Sequence, residues 1–248
     1  MDEMMRLNKY LSASGVFSRR EADRFIMSGR VTVDGVPAVP GTKVSGTEDI
    51  RIDGKKVKDS PDTVKRVVLA CFKKRGIVTS TVNQGGEHNN IIESIDYPIR
   101  VFPIGRLDKD SEGIILLTND GDLVNRLLKG ENRREKEYEV TLDKEISDED
   151  IKNMAKGGLE LVPGRISKPL VVRRSRYDDT DTVINVILTE GINREIRRMA
   201  EAFGYKVKRL KRVRFAGITL KGLKPGMYRE LSEDEISSLK ASPRGKAD

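Results

Sequence analysis

Between residues 102 and 121 a polar, acidic loop is trapped between two apolar runs, and no other stretch limits the fold so tightly. Val101, Phe102 and Ile104 lead in, and Ile114 to Leu117 lead out. Both runs have the length and apolar content of strands buried on two faces, which puts the loop at the edge of a core. Gly105 and Gly113 bracket it, and glycine permits a positive φ or the close approach of another molecule's backbone. Asp108 lies between these hinges. An aspartate in such a loop ordinarily serves the turn itself, through hydrogen bonds to the nearby backbone. A calcium reading also starts well, because Asp108-Lys109-Asp110-Ser111-Glu112-Gly113 fits the first half of an EF-hand loop. It fails at the last position, where Asn119 stands in place of the bidentate Glu that the loop requires, and the flanks are strand-like.

The chain before this loop is built of short, strongly punctuated pieces. Leu7, Tyr10 and Leu11 form one apolar stripe over residues 6–14, and Gly15 ends that helix. Ser18-Arg19-Arg20-Glu21 has capping-box spacing for a second helix, with Ala22, Phe25 and Ile26 on one face and a stop at Gly29. Val31-Thr32-Val33-Asp34-Gly35 and Ile50-Arg51-Ile52-Asp53-Gly54 are alternating strands running into Asp-Gly, which predicts two hairpin turns. Arg6, Lys9, Arg19, Arg20, Arg24 and Arg30 crowd around helix starts and turns, where side chains and free backbone N–H groups can both meet phosphates. The formal net charge of +8 and pI near 9.5 favour a polyanionic partner, although a solvated basic face has the same composition.

Residues 59–63 are polar and carry Pro61, so a linker is expected there, with a second domain starting near Lys65. Val67 to Phe72 reads as a buried strand, Lys73 to Gly76 as a basic turn, and residues 84–90 as a loop holding the only histidine, His88. With no metal-ligating neighbour in sequence, His88 is read as a loop residue. Leu123, Val124, Leu127 and Leu128 mark a helix, and residues 133–142 a strand with Lys136, Tyr138, Val140 and Leu142 on one face. A Ser147-capped helix over 148–156, strands at 171–173 and 183–188, and a helix over 193–203 follow. Residues 206–214 carry six positive charges among aliphatic side chains and read as a bulged strand; a capping box at Ser232 starts a short terminal helix.

Gly105-Arg106-Leu107-Asp108, a glycine at 113, an apolar run and Thr118-Asn119-Asp120-Gly121 together resemble the pseudouridine synthase signature. Arg6-Leu7-Asn8-Lys9-Tyr10-Leu11, Ser18-Arg19-Arg20-Glu21-Ala22-Asp23 and Gly29-Arg30-Val31-Thr32-Val33-Asp34-Gly35 resemble the S4 RNA-binding domain over residues 5 to about 58. The combination looks most like the S4-bearing branch that modifies ribosomal RNA. Lys109-Asp110-Ser111-Glu112-Gly113 and Gly121-Asp122-Leu123-Val124-Asn125 look closest to its F-type large-subunit members. The resemblance implies an α+β chain: a small S4-like α/β RNA-binding domain at 1–60 and a catalytic domain at 61–241. The latter would hold a large mixed, mainly antiparallel β-sheet flanked by helices, with a frayed tail at 242–248.

Pseudouridine formation breaks the N1–C1′ bond of uridine, turns the uracil and rejoins it through C5. Nothing is oxidised or lost, so no redox cofactor or metal is expected. The target must leave its stack to be reached, at a cost on the order of a few kcal/mol. By resemblance Asp108 is the catalytic residue, as nucleophile at C1′ or as base at a sugar proton, and the sequence leaves both routes open. A carboxylate beside core strands needs a fixed cation to stay ionised. Arg197 and Arg198 serve equally on spacing, and only the resemblance selects Arg197. By the same resemblance Tyr138, in Lys136-Glu137-Tyr138, stacks on the target base, and Ile196 packs against the pocket; periodicity alone makes both core residues. Arg106 is assigned to the RNA at the place the uridine leaves. Relatives commonly carry Gln where this chain has Glu195, which puts target choice in question rather than catalysis. The partner expected is ribosomal RNA of the 23S type, bound by a monomer.

One cysteine, Cys71, cannot form an internal disulfide, and no run reaches the ~20 apolar residues of a membrane span, so a cytoplasmic protein without membrane contact is expected. A non-catalytic RNA-binding or ribosome-assembly protein is the rival reading, in which the pocket is a folding relic.

Overall fold

The structure, a computed structural model, describes residues 4–58, 60–61, 63–81, 89–129, 134–176 and 180–241. The chain divides into two units: Met1–Val67 with Pro98–Arg100 and Asn119–Gly121, and Val68–Tyr97 with Val101–Thr118 and Asp122–Asp248. His88, Gly85, Gly86 and the tail at 242–248 lie outside the described residues.

In the first unit, strand β1 (Met5–Arg6) leads into helices α1 (Leu7–Ala13) and α2 (Arg19–Met27). The Ser18 box forms as its spacing predicts: the Ser18 hydroxyl accepts from Glu21 N–H, and the Glu21 carboxylate accepts from Ser18 N–H at 2.8 Å. Strands β2 (Val31–Val33), β3 (Val36–Pro37), β5 (Ile50–Ile52) and β6 (Lys55–Lys56) make a four-stranded sheet in the order β3-β2-β5-β6, while β4 (Lys43–Val44) pairs with β1. Both hairpins turn on Asp-Gly, with φ of 50° and 81° at Asp34 and Gly35, and 49° and 77° at Asp53 and Gly54. Two successive positive φ values match the twist of the flanking strands, which is why Asp-Gly predicts them. Leu7, Leu11, Ala22, Ile26, Val31, Val44 and Ile50 close the core between helices and sheet.

The second unit contains β7 (Val68–Lys73), α3 (Ile91–Ile95), β8 (Phe102–Ile104), β9 (Glu112–Thr118), α4 (Gly121–Leu128), β10 (Lys136–Leu142) and α5 (Asp148–Lys156). After these come β11 (Glu160–Val162), β12 (Arg165–Ile166), β13 (Val171–Arg174), β14 (Val183–Leu188), α6 (Glu195–Ala202), β15 (Val207–Phe215), β16 (Ile218–Thr219), β17 (Tyr228–Glu230) and α7 (Glu233–Lys240). Nine strands form one sheet, in the order β13-β14-β10-β15-β9-β7-β17, with β8 beside β9 and β16 beside β15. Among the described pairings only β9 with β15 is parallel, so the sheet is mixed and mainly antiparallel, with helices packed on it.

Burial follows position in the sheet. Every residue of β7 is buried, as is every residue of β9 after Glu112, whereas β10 and β14 alternate. Ile104, Ile114, Leu116, Leu123, Leu127, Phe215 and Leu239 fill the core where α4 and α7 cover the sheet. β15 is bulged as expected, with register shifts against β10 at Glu137/Tyr138 and Thr141/Leu142. Most boundaries shift by a residue or two, and one shift matters for the site. Helix α6 starts at Glu195, not at 193, because Arg194 takes a left-handed conformation with φ 55°. Arg194 therefore stands in the turn before the helix, off the face that carries Arg197 and Arg198.

Candidate active site

The loop between β8 and β9 is fixed from three sides by its own unit. Lys73, fully buried at the end of β7, donates from Nζ to the carbonyls of Asp108 at 3.0 Å, Ser111 at 2.6 Å and Lys74 at 3.2 Å. Burial lowers the Lys73 ammonium to about 8, while Asp108, Asp110 and Glu112 pull the other way. Thr79 Oγ1 donates to Leu107 O at 2.7 Å and accepts from Leu107 N at 3.2 Å. Gly76 N donates to Lys109 O at 2.7 Å. In sequence Lys73 reads as the start of a basic turn, yet it directly follows five apolar strand residues and ends β7.

Both hinges take the positive φ expected, 77° at Gly105 and 110° at Gly113. The close approach at Gly113 comes from the chain itself. A Cβ there would lie 2.2 Å from Arg212 O, so β15 can pair alongside only a glycine.

Asp108 projects half-exposed from this fixed loop into a cleft of about 710 Å³. Tyr138 and Ile196, both buried, line the same cleft, as does exposed Arg106. Tyr138 sits on β10 opposite Val186 of β14 and Arg212 of β15, on the side of the sheet that faces the cleft. A buried core tyrosine normally bonds its hydroxyl; among the described residues the Tyr138 hydroxyl makes no hydrogen bond.

The cation expected at Asp108 is distributed differently from the sequence reading. Arg197, buried on α6, pairs with Asp110 at 3.1 Å, and donates to Asp110 O at 3.2 Å and Val207 O at 3.0 Å. The guanidinium that reaches Asp108 is that of Arg194, at 3.7 Å, and it also contacts Asp110 at 3.3 Å. The left-handed turn at Arg194 places its side chain over the loop, while Arg197 is held lower by backbone carbonyls. Arg198 turns away, donating to Asn193 O and Leu161 O. Glu112 is engaged by Arg209, so all three acidic side chains of the calcium-like pattern have guanidinium partners. No group of three metal-ligating side chains gathers among the described residues.

Opposite the loop, Lys136 donates to the carbonyls of Arg134, Thr189 and Glu190. Burial lowers its ammonium to about 8, helped by Arg212 and opposed by Glu195 and Glu190. Glu195 is buried at the start of α6, where its carboxylate accepts from Ile192 N at 3.0 Å. Burial pushes its carboxyl up to about 7, and neighbouring Glu190 adds to the effect.

In the first unit, Arg6, Arg19, Arg20 and Arg24 are exposed and Lys9 is half-buried. Arg30 is exposed too, but Asp53 engages its guanidinium through two bonds, Nε to Oδ1 at 2.8 Å among them, and it lies 4.1 Å from the Phe25 ring centre. It is the least available of the six for a phosphate.

Comparison with known proteins adds independent findings. Residues 67–202 match the family model for RNA pseudouridylate synthase, and residues 5–50 match the S4 domain. The chain is 43% identical to the dual-specificity RNA pseudouridine synthase RluF of Escherichia coli O6:H1, over 99% of this chain and 85% of that protein. It is 35% identical to the ribosomal large subunit pseudouridine synthase B of Bacillus subtilis, over 96% of each. A crystal structure of a pseudouridylate synthase superposes with a TM-score of 0.67 at 26% identity, covering 95% of this chain and 99% of that one.

Proposed function

The chain belongs to the RNA pseudouridylate synthase family and carries an S4 domain, and from that premise we propose that it isomerises uridine to pseudouridine in ribosomal RNA. The observation that carries this reading is Asp108, held on a rigid loop and presented to a cleft that Tyr138 and Ile196 line. The finer assignment is 23S rRNA, acted on by a monomer in the cytoplasm; its large-subunit part is supported by the likeness to the ribosomal large subunit pseudouridine synthase B. The module at 1–60 would grip the RNA through Arg6, Lys9, Arg19, Arg20 and Arg24, and the domain at 61–241 would carry the reaction.

In this mechanism Arg106 contacts the RNA at the place the target uridine leaves its stack. Tyr138 receives the flipped base on its ring, and Ile196 closes the pocket around it. Asp108 acts at C1′ or at a sugar proton. Arg194 sets a guanidinium 3.7 Å from that carboxylate, and Arg197 acts one step back, through Asp110 and the loop backbone. A loop fixed by Lys73, Thr79 and Arg197 needs little reordering when substrate arrives, which is how positioning lowers a barrier.

Mapping pseudouridines in ribosomal RNA from cells with and without the gene tests the reading. It predicts that at least one pseudouridine of 23S rRNA disappears with the gene and returns with the wild-type chain. Unchanged maps, together with RNA binding that yields no pseudouridine on a transcript, would favour a binding protein.

A further inference from the structure

Arg212 is a buried guanidinium that forms no ion pair among the described residues. It is 2% exposed, on β15, opposite Tyr138 across the β10–β15 pairing, and it lines the cleft that holds Asp108. Its Nε donates to Ile114 O at 2.8 Å. Its Nη2 is buried and without an acceptor, and it makes no ion pair among the described residues. Other cations of the same strand do have partners: Arg209 pairs with Glu112, Lys211 with Glu139, and Arg214 with Glu137 and Glu135. Lys73 and Lys136 are close enough that Arg212 adds to the downward shift of both ammonium groups, and the acids that oppose those shifts make no ion pair with it among the described residues. The ring of Phe215, centred 5.1 Å from the guanidinium carbon, offers only a weak offset.

A guanidinium does not deprotonate to escape burial. Leaving one unpaired in the interior costs several kcal/mol, and a chain that needed only to fill this volume could do so with an apolar side chain at lower cost. Its neutralising group therefore comes from what enters the cleft. Phosphates stay with the strand at the rim, where Arg106 and Arg194 are exposed. On the isomerase reading, the wall that carries Tyr138 and Arg212 is the part of the cleft that the base would meet.

We propose that Arg212 receives a carbonyl oxygen of the flipped uracil and stabilises the negative charge that the ring takes up as it leaves the sugar. This rests on the isomerase reading above. When the N1–C1′ bond breaks, its electron pair departs with the uracil, and the charge spreads over N1, O2 and O4. Turning the ring about its N3···C6 axis exchanges N1 with C5 and O2 with O4. A donor that held O2 before the turn therefore finds O4 in the same place after it. C5 then bonds to C1′, the C5 proton is released, and N1 is protonated, so composition is unchanged. A fixed donor at the carbonyl position serves both halves of the reaction without moving.

The test uses the full-length chain, its Arg212→Met and Arg212→Lys variants, and a 23S rRNA transcript made with uridine tritiated at C5, which releases tritium when C5 is substituted. Arg212→Met is expected to melt at the wild-type temperature or above, since an unpaired buried charge has gone. It should bind the transcript within about threefold of wild type, because backbone contacts dominate RNA affinity. Its single-turnover tritium release should fall about 100-fold or more, the order seen when one preorganised donor is removed from developing charge. Arg212→Lys, which keeps a cation, should recover part of that loss. Release by Arg212→Met within about threefold of wild type would overturn the proposal. Loss of rate matched by an equal loss of RNA binding would do so as well, by assigning Arg212 to a phosphate. A lowered melting temperature with Arg212→Lys equally slow would make the residue structural. No release by the wild-type chain would remove the isomerase reading, and this role with it.

Discussion

Arg194 and Arg197 stand three residues apart, yet the first reaches Asp108 and the second Asp110. Their substitutions should separate. Arg194→Met removes an exposed guanidinium and should cost less than about 1 kcal/mol of stability, while slowing turnover at least about tenfold through the loss of a cation beside a reacting carboxylate. Arg197→Met loses buried bonds to Val207 O and Asp110 and should cost about 2 kcal/mol in a denaturant melt. Equal stabilities for the two variants would contradict this division. Glu195 makes a pH prediction. Its carboxyl is held at about 7 against an ordinary 4.5, so between those values the folded chain keeps a proton that the unfolded chain has lost. Stability contributed by that proton is full below about pH 4.5 and withdrawn as pH rises to about 7. Glu195→Gln should therefore gain in melting temperature over wild type at pH 8 but not at pH 4.5; parallel profiles would refute the assignment. At this scale the family resemblance singles out Asp108, Tyr138 and Ile196, where spacing alone does not, and the three line one cleft. The sequence did not carry the partner of each charge. That depends on a left-handed φ at Arg194, which no propensity predicts for arginine.

At the scale of the element, Gly105 and Gly113 seemed equivalent hinges and are not. A Cβ at Gly105 would meet only Leu128 Cδ2 at 3.3 Å, a side-chain end that can move, whereas at Gly113 it would meet the backbone of Arg212 at 2.2 Å. Gly113→Ala should cost more than about 4 kcal/mol or prevent folding, and Gly105→Ala about 1–2 kcal/mol. Comparable urea midpoints for the two variants would contradict the pairing of β9 with β15. Elements whose signals are local were readable: the capping boxes at Ser18 and Ser232, the Asp-Gly hairpins, and the alternation of β10. Short elements such as α3, β11, β12 and β17 escaped notice, because a strand of two or three residues has no periodicity and exists only through its neighbour. The buried lysine at the end of β7 escaped for a related reason: its three carbonyl partners come from a loop more than thirty residues away and its own neighbour.

At the scale of the whole molecule, the proposed function divides grip from chemistry between the two units. Replacing Arg19, Arg20 and Arg24 together by alanine should weaken RNA binding, and lower the slope of log affinity against log salt by about 2–3. Single-turnover rate at saturating RNA should not change. A slope equal to wild type would show that these side chains do not meet phosphates. Sheet order was not legible from the strands themselves, since the parallel pairing of β9 with β15 joins segments almost one hundred residues apart. The family resemblance implied only that the sheet would be large, mixed and mainly antiparallel, not which strand lies beside which. The account as a whole rests on one acid in one cleft, and Asp108→Asn tests it most directly. That change is nearly isosteric and should leave the melting temperature within about 2 °C and RNA affinity within about threefold of wild type. Tritium release from a C5-labelled 23S rRNA transcript should fall below detection, at least about 10⁴-fold down. Release by Asp108→Asn at the wild-type rate would contradict the account.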